Sequence, residues 1–126
     1  MKEKRKGHAC IVDEETNTIH VIGGMNYEHR NINSTEKWTF GNVKEGQTWD
    51  TGANLPEGVE NSAAVASNSV ESVGYLIGGW TVDGLTSKMW SLRRRDMKWI
   101  EVGSKKLKIA RQQHTLVNTR GDKMWC

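Results

Sequence analysis

Two stretches decide the reading: Ile19-His20-Val21-Ile22-Gly23-Gly24 and Gly74-Tyr75-Leu76-Ile77-Gly78-Gly79. Each is a short apolar run closed by a glycine pair, and the two pairs lie 55 residues apart. A strand that leaves its sheet at a sharp bend, with other backbone packed against it, needs residues without a Cβ. After each pair come a polar loop and a strand-like segment, 34–40 with Trp38 and 87–92 with Trp90, the two tryptophans 52 apart. A second tryptophan follows in each copy, Trp49 and Trp99, separated by 50. Ahead of the glycine pairs, Arg5-Lys6-Gly7-His8-Ala9-Cys10-Ile11-Val12 matches Arg111-Gln112-Gln113-His114-Thr115-Leu116-Val117 at an offset of 106, twice 53. The middle copy, Val59-Glu60-Asn61-Ser62-Ala63-Ala64-Val65-Ala66, departs from the Arg-x-x-His pattern. Landmarks that agree on one period define an internal repeat.

The segments are short, bounded by turn formers and rich in β-branched and aromatic residues, so each repeat reads as four strands. The first copy predicts strands at 8–13, 19–23, 35–40 and 48–52, the second at 62–67, 74–78, 87–92 and 98–102. No helical periodicity competes, and Asp83-Gly84 and Gly121-Asp122 carry hairpin chemistry. The fold class is all-β, made of four-stranded antiparallel sheets. Six tryptophans against one phenylalanine and two tyrosines place Trp at fixed structural positions, where it supplies large area to a face packed on the next sheet.

Composition narrows the rest. With 126 residues, 36% hydrophobic and 26% charged, the chain is sized for one folded unit and is not disordered. The longest apolar run is far short of the roughly 20 residues of a membrane span. Met1-Lys2-Glu3-Lys4-Arg5-Lys6 precedes no apolar secretory segment, so a cytoplasmic location is favoured. The net charge of +3 sits in three clusters, 2–6, 93–95 and 105–108, none interleaved with aromatics, so neither nucleic acid nor membrane is the expected partner. Cys10 and Cys126 make no metal spacing, and Cys10 reads as a small buried hydrophobe.

The combination of glycine pair, aromatic about a dozen residues later and Trp about ten beyond that resembles the kelch repeat, one blade of a β-propeller. The resemblance covers nearly the whole chain: repeats at 5–56 and 57–107, and the first strands of a third at 108–126. Its structural landmarks are Gly23, Gly24, Trp38 and Trp49, and then Gly78, Gly79, Trp90 and Trp99; Trp38 and Trp90 stand where the family usually has Tyr. Such propellers close with roughly four to eight blades. The chain is therefore expected to be an incomplete propeller, a fragment completed by further blades or by self-association. An open blade face of roughly 300 Å² would leave on the order of 8 kcal/mol of burial unrealised.

What the resemblance implies is a protein-binding scaffold without catalysis or cofactor, such as a substrate adaptor of a cullin-type ubiquitin ligase or a cytoskeletal (actin) binder. The alternative it implies is a propeller piece of a copper oxidase similar to galactose oxidase, or of another kelch-containing enzyme. No nucleophile elbow, His-Glu-x-x-His or phosphate loop is present. His8 and His114 begin equivalent strands, which favours structural hydrogen bonding over metal binding. The loops 25–33 and 80–86 are expected on one face with 55–61 and 105–113. They offer Tyr27, His29, Arg30, Trp80 and Asp83, joined by the strand-leading Arg5 and Arg111. Those two arginines either hold acidic side chains of a peptide partner or pair with a neighbouring blade; Glu60 stands near the equivalent place in the second repeat and would repel an acidic ligand.

Overall fold

Along Ala9-Cys10-Ile11-Val12-Asp13 the odd positions are buried and the even ones exposed, the period of a strand with one face on a core. In the computed structural model, which describes residues 1–41, 47–119 and 123–125, this segment is β1 (Ala9–Asp13) of a four-stranded antiparallel sheet. It continues through β2 (Thr18–Ile22) and β3 (Thr35–Thr39) to β4 (Asp50–Thr51), each strand beside the last. The second sheet has the same meander: β5 (Ala63–Ala66), β6 (Ser72–Ile77), β9 (Met89–Arg93) and β10 (Lys98–Glu101). Two hairpins remain, β7 (Trp80–Thr81) with β8 (Gly84–Leu85) and β11 (Val117–Thr119) with β12 (Lys123–Trp125). No helix occurs among the described residues, and none is long and apolar enough to cross a membrane.

Equivalent positions share a register. Ala9 faces Ile22 in the first sheet, and Ala63 faces Ile77 in the second. The sheets lie face to face, with Ala9, Ile11 and Ile22 of the first packed on Val73, Leu76, Trp90, Leu92 and Trp99 of the second. Gly74 makes the approach possible: a Cβ there would meet the Val65 carbonyl at 2.6 Å and Ile11 Cδ1 at 2.8 Å. The reverse face of the second sheet, with Ala63, Ile77 and Met89, is covered by Leu116, Leu107 and the β11–β12 hairpin. Among the described residues the reverse face of the first sheet is covered only in part, where Lys2, Glu3 and Arg5 close over Glu36, and leaves Cys10 and Val12 exposed and Trp38 half-buried.

Several expectations are corrected. Cys10 is exposed, because strand alternation turns it to the open face while Ala9 and Ile11 take the core. Trp49 lies just ahead of β4 and is half-buried, its ring 5.8 Å from that of Trp38, whereas Trp99 is buried between the sheets. Phe40 falls beyond β3 and is exposed. The 80–85 hairpin was not among the predicted strands; its tip is Val82-Asp83, and the positive φ of 103° falls on Gly84. The Gly121-Asp122 turn lies outside the described residues. His8 and His114 are packed beside the glycine pairs, where a Cβ on Gly24 would come 3.2 Å from His8 Cβ and one on Gly78 2.6 Å from His114 Cε1.

Candidate functional site

The glycine pairs position the site. All four residues have positive φ, 61° and 99° at Gly23 and Gly24 and 65° and 107° at Gly78 and Gly79, which turns each chain out of its sheet where a side chain would collide. Each turn is then fastened to the segment that begins the next repeat of strands. Gly24 N donates to Val59 O at 2.8 Å, and Gly79 N donates to Arg111 O at 2.7 Å. The residue after each pair bridges the segment leading into its own sheet, Met25 with Lys6 and Trp80 with Glu60.

From these anchors two loops emerge at one end of the sheets. In the first, Asn26 Oδ1 accepts from the amides of Glu28 and Arg30 at 3.1 Å each, and a Met25–Asn31 bridge closes the base. In the second, the β7–β8 hairpin, Thr81 Oγ1 donates to Gly84 O at 3.2 Å and accepts from Asp83 N. Asn31 Nδ2 donates to Trp80 O at 3.0 Å and joins the loops into one surface. Two hollows border it: one of about 230 Å³ beside Lys4, Lys6, Tyr27 and His29, the other of about 390 Å³ beside Met25, Arg30, Glu60, Trp80 and Val82.

The sequence candidates separate here. Tyr27 (82% exposed), His29, Arg30, Trp80 (41%) and Asp83 share this surface. Arg111 is exposed, with its carbonyl fixed by Gly79. Arg5 is the correction: its side chain is fully buried and its guanidinium is occupied within its own sheet. It donates to Gly23 O at 3.0 Å, Ser34 O at 2.9 Å, Ser34 Oγ at 3.1 Å and Glu36 Oε2 at 2.8 Å. Burial alone would raise the Glu36 carboxyl, but the backbone amides of Lys2 and Glu3, together with Arg5, hold it below its ordinary range. No donor of Arg5 is turned toward a partner.

The bridges keep the register in which the middle copy lines up with the first. Glu60 matches Lys6, and Val59 matches Arg5. The residues two beyond Arg5, Val59 and Arg111 all have positive φ: Gly7 at 63°, Asn61 at 52° and Gln113 at 54°. Asn61 in the middle copy, one of the residues that tolerates this conformation, was the available signal for that register. Asn31, Glu60 and Val82 (90% exposed) were not singled out as contact residues, although all belong to the surface.

A second charged contact lies at the other end of the sheets. Arg94 Nη2 reaches Asp13 Oδ1 at 3.1 Å and Arg94 Nη1 reaches Glu15 at 3.2 Å, tying the two sheets together. Burial opposes ionisation of Asp13, but hydrogen bonds from Arg94 and Thr16 outweigh it and lower its pKa. Among the described residues no group of three His, Cys, Asp or Glu side chains is placed to hold a metal ion. No family model matches the chain, and a search of curated proteins finds no matching relative.

Proposed function

We propose that the chain is a portion of a kelch-type β-propeller and serves as a protein-binding scaffold, with the 25–31 loop and the β7–β8 hairpin as its contact surface. The observation that carries this reading is the recurrence of one four-stranded meander, packed face to face on its copy, with a glycine-pair exit at the same place in each. Further blades, from more chain or from a second copy, would cover the open face of the first sheet at Trp38 and Trp49. Exposed Tyr27, Trp80 and Val82 on hydrogen-bonded loops support the scaffold role, since aromatic residues on a rigid frame are the usual interface anchors.

Photo-crosslinking tests the face. A benzophenone amino acid placed at Tyr27 or Val82 should capture a common, defined protein in cells. The same group at Val70, 85% exposed in the β5–β6 connection at the opposite end, should not. Capture only from Val70, or equal capture from all three positions, would overturn the assignment.

A further inference from the structure

Glu60 faces Trp80 in an antiparallel bridge, with Glu60 N donating to Trp80 O at 3.0 Å and Trp80 N to Glu60 O at 2.8 Å. Residues directly opposite in such a bridge carry their side chains on the same side. Glu60 is only 9% exposed, yet among the described residues no hydrogen bond or ion pair reaches its carboxylate. Its oxygens are not among the sealed, unsatisfied polar atoms, and Glu60 lines the hollow of about 390 Å³. A carboxylate so largely desolvated and unpaired is poised to gain from a cation.

The rest of the hollow suits the same ligand. Trp80, opposite Glu60 in the bridge, lines the same hollow, and an ammonium or guanidinium over an indole face is attracted by the ring quadrupole. The walls are preset by the Asn31–Trp80 hydrogen bond and the Met25–Asn31 bridge, so little ordering is needed on binding. His29 and Arg30 stand at the rim; the Arg30 side chain is 77% exposed and directed at Glu28, 3.5 Å away.

We infer that this hollow is a subsite for a cationic side chain, the Lys or Arg of a peptide, which bonds Glu60 through its N–H groups and lies against Trp80. The inference rests on the protein-binding reading and names the chemistry of the partner. It reverses the acidic partner expected from the sequence, because Arg5 is consumed by Glu36 whereas Glu60 is left without a counter-charge.

The test is an NMR titration of the ¹⁵N-labelled chain with capped Gly-Lys-Gly, Gly-Arg-Gly, Gly-Gln-Gly and Gly-Glu-Gly peptides. The Trp80 indole and Glu60 amide signals should respond to the Lys and Arg peptides with an affinity about tenfold above that for the Glu peptide. Glu60→Gln should remove about tenfold of that affinity while signals outside the hollow keep their positions. Trp80→Leu should weaken the Lys peptide without strengthening the Glu peptide, and Glu14→Gln, at the far end, should change nothing. Equal response to Lys and Glu peptides, unchanged binding by Glu60→Gln, or no response to the Lys peptide at millimolar concentration would each overturn the subsite. Crosslinking from Tyr27 and Val82 without cation preference would remove this inference and leave the binding face standing; loss of both would remove both.

Discussion

The two four-stranded sheets share a topology and equivalent residues, yet they live in different surroundings. The second is covered on both faces, by the first sheet and by the β11–β12 hairpin with Leu107 and Leu116. The first is fully covered on one only. Trp99 is 6% exposed, whereas Trp49, at the same place in the first sheet, is half-buried with its ring 5.8 Å from that of Trp38; Trp90, 1% exposed, is not the counterpart of Trp38 but lies opposite Leu76 as Glu36 lies opposite Val21. A residue's place in a repeat thus fixes which way it points, and the neighbouring sheet decides how far it is buried.

The sharpest way to break this comparison is to truncate both members of one pair of equivalents. Trp99→Ala should cost about 3–5 kcal/mol, the range for a large aromatic removed from a packed core. Trp49→Ala should cost less, about 1–2 kcal/mol, because part of its surface already meets water. Urea denaturation of the two variants checks the ratio; equal losses would mean that the open face is covered in solution.

The joint between the sheets is probed next. Gly74→Ala forces a Cβ to within 2.6 Å of the Val65 carbonyl and 2.8 Å of Ile11 Cδ1, so it should cost about 1–3 kcal/mol. Ile11→Val in the same chain should recover part of that loss if the clash with Ile11 dominates. No recovery would place the strain on the Val65 backbone.

The smallest effect is one of pH. Burial lowers the pKa of His20 below its ordinary 6.5, with nearby Asp13 opposing and Lys37 and Arg94 reinforcing the shift. The unfolded chain then binds a proton more readily than the folded one, so stability falls as pH drops below about 6.5 and stops falling once the folded-state value is passed. Asp13 and Glu36 act later, below their ordinary 3.8 and 4.5, since their folded values are depressed. His20→Gln should flatten the decline in Tm between neutral pH and pH 5, leaving the part due to half-buried His114, whose pKa is also lowered. An unaltered pH profile would show that His20 is hydrated in the folded state.

What could be read in advance followed a physical division. The glycine pairs and the alternation in β1 are local requirements of a strand and its exit, so they are written in consecutive residues. Arg5 is different: its partners Ser34 and Glu36 are 29 and 31 residues away, and nothing in the N-terminal run of charges says which one turns inward. The turn of the β7–β8 hairpin was legible in Asp83-Gly84, but its strands escaped because two-residue strands have no measurable period and Val82 and Leu85 are exposed. Glu60 was placed only at or near the equivalent position, since the match of the middle copy hinges on the backbone of Asn61 rather than on an identical side chain.

The hydrogen bonds from Gly24 to Val59 and from Gly79 to Arg111 use main-chain atoms alone. Each sheet is therefore fastened to the segment beyond it without reference to what the intervening loop carries. Under the proposed binding role, recognition and scaffold can change at separate rates: Tyr27, Val82 and Asp83 can be exchanged for a new partner while the frame keeps its shape. For a lineage of such chains, a new specificity is a matter of a few surface substitutions, and the founding fold need not be invented twice.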